Sequence, residues 1–328
     1  MKMSSFGRTG LRVSSIGIGC ARIGGIFQAG SSGFVELLAA SLDAGINFFD
    51  TADMYSQGES ETLLGRAFKG KREQVVIASK IGYRLPGQRR LIARIKPLVR
   101  PLVKLLGLRR AHLPAAVRGA LEQDFTPAWL RRALEASLKR LRTDRLDLLQ
   151  LHSPPLEVIE RGEWLQTLDG FKRAGKIRHW GIACDTVDDA LAALRHPGVS
   201  SLQVTISLLE QGAIERLLPQ ARAQGVGVIA REVLANGLLA KDPATIDLKS
   251  YCRSPEEEAR RARQLAAVGD LARAHGCVPA QLALQLVQGL EGVPVALIGV
   301  RSVAQLQGTL RWLSSPQITV ALLRSIAA

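Results

Sequence analysis

The sequence predicts an α/β protein built as a parallel (β/α)8 barrel. Three observations point there. Short apolar runs alternate with longer amphipathic stretches along most of the chain, which is how strand–helix units lay down a parallel sheet. The run of 328 residues holds eight such units, the number that closes a barrel. The alternative, a doubly wound sheet, usually carries a glycine-rich turn that opens a helix after its first strand. Here GIGCARIGG is not followed at once by a helix-forming stretch.

The elements follow in order. MSSFGRTGLRVSS reads as an N-terminal β-hairpin, turning around Gly7 and Gly10, that caps the barrel bottom. Strands are expected at 15–19, 46–49, 75–79, 146–151, 177–182, 202–206, 226–230 and 295–298. Helices are expected at 34–44, 60–68, 127–141, 163–174, 187–194, 214–224, 279–288 and 303–313. Two long loops depart from this plan: 83–125 after strand three, and 232–254 after strand seven, followed by a charged helix at 256–275. Both follow strands, so both belong to the C-terminal face, where barrel enzymes keep their active sites. The chain is expected to be one barrel domain over 1–328, with 83–125 as a basic, apolar insertion.

Composition narrows the function. Hydrophobic residues make up 47% and charged residues 22%, the balance of a globular protein and not of a disordered one. No apolar run reaches the roughly 18 residues that a membrane span needs, and MKMSSFGRTGLRVSS has no signal-peptide pattern. Cys20, Cys184, Cys252 and Cys277 lie far apart without a CxxC, so reduced thiols, a cytoplasmic location and no metal site are expected. The net charge is +15, but 84–118 holds ten Lys and Arg and no Asp or Glu. A general nucleic-acid surface is therefore not implied; one local basic element is. In LIARIKPLVRPLVKLLGLRR basic and aliphatic residues mix at rough helical spacing, and Pro97 and Pro101 break or kink any helix. Three readings stand: a lid, a pocket for a carboxylate or phosphate on the substrate, or an anchor on an anionic membrane surface.

The chemistry sits at strand ends. INFFDTADMY, VVIASK and LDLLQLH place Asp50, Tyr55, Lys80 and His152 just beyond apolar runs. A phenol is a poor acid at neutral pH, and a neighbouring ammonium favours its ionised form. Lys80 can supply that charge, Asp50 can hold Lys80, and His152 can hydrogen-bond a substrate oxygen and assist proton transfer. Singly, each has an ordinary structural explanation. Together, at the same ends of neighbouring strands, they suggest carbonyl reduction.

At these residues the sequence resembles the aldo-keto reductases. The likeness runs from SSFGRTGLRVSSIGIG through GINFFDTADMYSQGESETLLGRAF, VVIASK, RLDLLQLHSP, GKIRHWGIA and VGVIAREVLANGLL to IGVRSVAQL. It implies a nicotinamide cofactor, usually NADPH (NAD is the alternative), bound without a Rossmann fold. It implies Tyr55 as general acid, Lys80 and Asp50 tuning it, and His152 orienting the carbonyl. It puts Gly19 and Cys20 near the nicotinamide, Gln203 on the carboxamide and Arg231 stacked on the ring. Leu234, Asn236, Gly237 and Leu238 would cross the pyrophosphate, and Gly299, Arg301, Ser302 and Gln305 would hold the adenosine phosphate. Arg301 beside a 2′-phosphate would favour NADPH, and Ser302 can cap the helix that follows. Phe27, Tyr83, Leu85 and Cys184 are candidates for substrate contact.

The sequence departs from the family pattern in two further places. Ala183 and Cys184 stand where Ser-Asn commonly binds the carboxamide, leaving backbone or Asp185 to compensate. Gly308 and Thr309 stand where Glu-Asn commonly meets the adenine. The expected partner is a small carbonyl or alcohol. An NAD(P)-dependent sugar or alcohol dehydrogenase is the alternative, and a non-catalytic nucleotide-binding subunit, like the potassium-channel β subunits of this family, is a third reading.

Overall fold

A computed structural model of the chain describes residues 1–21, 31–84, 122–242, 245–313 and 318–327. Eight parallel strands close into a barrel with helices between them, the TIM-barrel architecture. In hydrogen-bonded order they are β10 (Ser201–Thr205), β11 (Gly227–Arg231), β12 (Val295–Ile298), β3 (Ile16–Gly19), β4 (Phe48–Asp50), β5 (Val76–Ile81), β8 (Leu146–His152) and β9 (Ile177–Ala183). Two short ribbons complete the strands. β1 (Met3–Ser5) pairs antiparallel with β2 (Arg12–Ser14), and β6 (Tyr83–Arg84) pairs antiparallel with β7 (Glu122–Gln123). By internal packing the chain divides into two compact units, one of Met1–Gly17, Cys184–Ile298 and Ala304–Ala328, the other of Ile18–Ala183 and Gly299–Val303.

In the second unit, β4 and β5 are buried along their whole length. That is why they read as continuous apolar runs and not as alternating ones. α1 (Ser31–Asp43) and α2 (Glu59–Ala67) follow β3 and β4. α3 (Pro127–Leu141) begins where the sequence predicts, because Thr126 accepts the Trp129 amide and Pro127 occupies the first turn, a helix start that needs no amide from proline. After β8 comes α4 (Leu156–Arg161), a short helix ended by Gly162 at φ 64°, and then α5 (Leu165–Arg173). The sequence reading places only one helix here, because Gly162 interrupts the periodicity.

In the first unit, the N-terminal hairpin covers the N-terminal end of β11. The Arg8 amide donates to the Gly225 carbonyl at 2.8 Å. Phe6 is fully buried against Gly227, where an added Cβ would lie 2.7 Å from the phenyl ring. α6 (Val187–Leu194) opens with a reciprocal capping box between Thr186 and Asp189. The expected helix 214–224 is two: α7 (Gly212–Arg216) and α8 (Leu218–Ala223). Pro219 explains the break, since it has no amide to continue the ladder and clashes with the preceding turn. The charged helix α9 (Pro255–Ala274) is capped by Ser254 and carries Glu256, Glu257 and Glu258 in its first turn, where they oppose the helix dipole. α10 (Pro279–Gly289), α11 (Val303–Leu313) and α12 (Val320–Arg324) end the chain, and the last has no counterpart in the sequence reading. Among the described residues no helix is long and apolar enough to cross a membrane.

Candidate active site

Strand register assembles the site in the second unit. Asp50 ends β4 opposite Ala78, so Lys80 stands one pleat further along β5 on the same face. The Lys80 ammonium meets Asp50 Oδ2 at 2.5 Å and the Thr51 carbonyl at 3.1 Å. Its third neighbour is the Tyr55 phenol oxygen, at 3.5 Å. Only 1% of the Lys80 side chain is exposed. Burial works against its charge, but the Asp50 carboxylate and Tyr55 outweigh it and hold the pKa above the ordinary lysine value. Lys80 is therefore a cation at any physiological pH.

Tyr55 opens a short helical turn, Tyr55–Gly58, in which Ser56, Gln57 and Gly58 are all left-handed, at φ 50°, 62° and 86°. Its ring lies edge-on to the His152 imidazole, with centroids 5.7 Å apart. His152 closes β8. Tyr83 also lies edge-on to this imidazole, with centroids 4.9 Å apart. Asp50, Tyr55, Lys80 and His152 are thus brought together, in elements of one unit, as the sequence predicts. All but Tyr55 lie within the strands and not just beyond them, since strand pairing runs one or two residues further than the apolar runs. The 3.5 Å separation of ammonium and phenol is slack for a hydrogen bond, as is common before substrate binds.

The neighbouring cysteine is quiet. Cys20 is fully buried, its amide donates to the Asp50 carbonyl at 2.8 Å and its thiol points to the Ile18 carbonyl. Burial first, and then the Asp50 charge, push its pKa far up, so it stays a thiol. Gly19, beside it, is half-buried.

In the first unit, Arg231 ends β11. Its guanidinium donates to the Cys184 carbonyl at 3.1 Å and to the carboxylates of Asp185 at 3.0 Å and Glu232 at 3.3 Å. The Asn236 amide meets the other oxygen of Glu232 at 3.0 Å. Asp185, which could have compensated for the missing Ser-Asn pair, is thus engaged by Arg231. Cys184 is buried, and burial raises its pKa strongly. Its amide donates to the carbonyl of the buried Gln203 at 2.9 Å. Leu234 and Gly237 are half-buried, Asn236 is exposed and Leu238 is buried. The loop turns on left-handed Glu232, Ala235, Asn236 and Gly237.

Gly299, Arg301, Ser302 and Gln305 are exposed. Thr309 is buried and donates to the Gln305 carbonyl at 3.0 Å, so its hydroxyl serves the helix. Phe27, Leu85 and almost all of the basic segment 84–118 lie outside the described residues.

Two groups near the site escape the sequence reading. Gln150, two residues before His152 on the same face of β8, is fully buried with neither amide atom bonded among the described residues. Glu61, in α2, has a wholly buried carboxylate. Neither has a pattern in sequence: a strand Gln and a Glu at a helix start ordinarily face water.

The sequence profile of the Aldo/keto reductase family matches residues 15–326. The chain belongs to this family. It is an NAD(P)H-dependent oxidoreductase of the aldo-keto reductase class. It is similar to pyridoxal 4-dehydrogenase of Microbacterium luteolum, 28% identical over 94% of this chain and 92% of that protein. It is also similar to D-threo-aldose 1-dehydrogenase of a Pseudomonas species, 32% identical over 79% of this chain and 78% of that one. Among solved structures, a holo-form aldo-keto reductase from Bacillus halodurans shares its fold with a TM-score of 0.78 at 24% identity, over 100% of this chain and 97% of that one. A glycerol dehydrogenase from Gluconobacter oxydans does so with a TM-score of 0.74 at 24% identity, over 96% and 91%.

Proposed function

We propose that this reductase uses NADPH to reduce an aldehyde or ketone, with Tyr55 as the proton donor. The observation that carries the reading is the buried Asp50–Lys80 pair with the Tyr55 phenol 3.5 Å from the ammonium. A cation held there stabilises the phenolate left when the proton departs, and so makes Tyr55 a usable acid. His152, edge-on to Tyr55, orients the carbonyl oxygen toward the phenol. The bound dihydronicotinamide would supply the hydride to the carbonyl carbon. In the oxidative direction the same phenolate takes the proton from the alcohol.

Each unit carries groups suited to a nicotinamide dinucleotide. In the first, Arg231 offers a flat guanidinium whose buried Nε has no hydrogen-bond partner among the described residues, and Gln203 offers an amide to a carboxamide. The left-handed loop with Leu234, Asn236, Gly237 and Leu238 would offer its backbone to a pyrophosphate. In the second, open space surrounds the position where Gly299 lacks a Cβ, and the exposed Arg301 and Ser302 suit a phosphate; Gln305, also exposed, belongs to the first. Arg301 favours a 2′-phosphate and hence NADPH.

A dehydrogenase reading has its own support in the names of the relatives, which act on pyridoxal and on an aldose. Fluorescence titration with NADPH, NADP, NADH and NAD, followed by turnover on a carbonyl panel and on pyridoxal and aldoses, separates the two. Tight NADPH-selective binding with carbonyl reduction is expected. NAD-selective binding with alcohol oxidation would favour the dehydrogenase, and binding without turnover the non-catalytic subunit. Tyr55→Phe is expected to lower kcat by about 10²–10⁴-fold with cofactor affinity kept. A variant as active as the wild type would remove Tyr55 from the mechanism.

A further inference from the structure

Two consecutive residues of the first turn of α2 each grip a residue adjoining the Asp50–Lys80 pair. The Ser60 hydroxyl donates to the Cys20 carbonyl at 3.1 Å and lies 2.8 Å from the hydroxyl of Thr51, next in sequence to Asp50. Glu61 Oε1 accepts the hydroxyl of Ser79, next to Lys80, at 2.6 Å. The next residue, Thr62, donates to the carbonyl of Gly58, which closes the Tyr55 turn, at 3.0 Å. This last bond is ordinary for a helical threonine; the first two cross between elements.

The centre of the arrangement is an ion pair. Glu61 Oε2 accepts Arg140 Nε from α3 at 2.6 Å, and the Glu61 side chain is 0% exposed. Arg140 is steadied by the Ser137 hydroxyl at 3.1 Å. Its stem also fills the space beneath Gly58: a Cβ there would lie 2.6 Å from Arg140 Cδ. So Arg140 packs directly against the turn of three left-handed residues that carries Tyr55. Left-handed Ser and Gln are costly and persist only where their surroundings impose them. A wholly buried carboxylate is also costly, and its retention fits a role in specifying geometry better than one in bulk stability.

We propose that the Glu61–Arg140 pair is a positioning device. It acts on Tyr55 from behind its turn and on Lys80 through Ser79, and so sets the separation of phenol and ammonium. Neither Glu61 nor Arg140 touches substrate or cofactor in this role. The titratable and charged groups on the Tyr55 side are Lys80, Asp50 and His152; Asp53, Glu61 and Arg140 interact with one another, with Arg140 packed against the turn. The inference rests on Tyr55 being the proton donor.

The test uses the full-length protein. Glu61→Gln, Ser79→Ala, Arg140→Met, Arg140→Lys and, as reference, Tyr55→Phe are compared for kcat, KM, the pH profile of kcat, NADPH affinity by fluorescence, and melting temperature. Glu61→Gln and Arg140→Met are expected to lose roughly ten- to a hundredfold in kcat, to move the pH limb that Tyr55→Phe abolishes, and to leave NADPH affinity and KM within about threefold. Ser79→Ala should shift kcat the same way by less, and it keeps the test informative if Glu61→Gln does not fold. Arg140→Lys, which retains the charge, should restore most of the rate. The proposal is overturned if the variants melt earlier but keep kcat and the pH limb, or if kcat falls only in step with NADPH affinity. If Tyr55→Phe itself turns over normally, it is the reading of Tyr55 that fails, and this inference falls with it.

Discussion

Asp53 separates a residue's apparent role from its physical state. It is buried, and one of its carboxylate oxygens has no hydrogen-bond partner among the described residues. Burial first, then the charge of Glu61, push its pKa well above the carboxylate range, against the pull of Arg140 and the Met54 amide. A folded-state pKa above the unfolded one means that the folded protein binds the proton more tightly. The contribution is complete below the unfolded value of about 3.9 and is lost as pH rises through the folded value. Asp53→Asn removes this proton. Its stability relative to the wild type should therefore climb from pH 4 upward and reach on the order of 1–3 kcal/mol in its favour once the wild-type group is forced to ionise. Urea unfolding from pH 5 to 8 reads this directly, and a gap that narrows with pH would mean that Asp53 is charged and paired. The sequence could not show this. Asp50, Lys80 and His152 were legible because each interrupts or ends an apolar run, where a polar side chain has no reason to be unless it does chemistry. Asp53 and Glu61 sit in the polar stretch DMYSQGESE, where any carboxylate reads as solvated, and only tertiary packing buries them.

The seam between α2 and α3 follows the same logic one level up. Gly65, in the middle of α2, meets backbone: an added Cβ would lie 2.6 Å from the Leu141 carbonyl oxygen and 2.7 Å from that of Arg140. Helix propensity alone predicts that Gly65→Ala stabilises α2 by about 1 kcal/mol. Contact with rigid backbone reverses the sign, and overpacking of this kind costs about 1–3 kcal/mol. Denaturant midpoints should therefore fall, while Gly70→Ala, in open space at φ 76°, loses only through its backbone conformation. A stabilised Gly65→Ala would show that the two helices can part. The helices themselves were readable from capping residues and periodicity, and misreadings fell where one residue changes local geometry, as Pro219 does between α7 and α8. The β6–β7 ribbon was invisible for a different reason: its two strands lie far apart in sequence, and each is two residues long.

That ribbon matters for the molecule as a whole, because it returns the chain to its starting point. Arg84 pairs with Glu122 and Tyr83 with Gln123, so the two ends of the segment between them are already adjacent. The segment 84–118 holds ten of the chain's 44 basic residues and no acid; without it the +15 charge would fall to +5. We propose that 83–125 is an insertion the barrel does not need for folding. An antiparallel pair can be closed by a two-residue Asn-Gly turn, and closing a shorter loop costs slightly less entropy than a long one. Replacing residues 86–120 by Asn-Gly should leave the melting temperature within a few degrees and NADPH affinity unchanged, since every proposed cofactor residue lies elsewhere. The substrate side should respond differently. The loop follows β5 on the face where barrels hold their substrates, and Tyr83 at its root touches His152. KM should therefore rise, most for substrates bearing a carboxylate or phosphate if the basic residues recognise an anion, and evenly across substrates if the segment is only a lid. Co-sedimentation with anionic vesicles in low salt, lost on deletion with KM unchanged, would instead assign the segment to a membrane surface. A deletion variant that fails to fold would show that the segment is part of the barrel's core and not an addition to it.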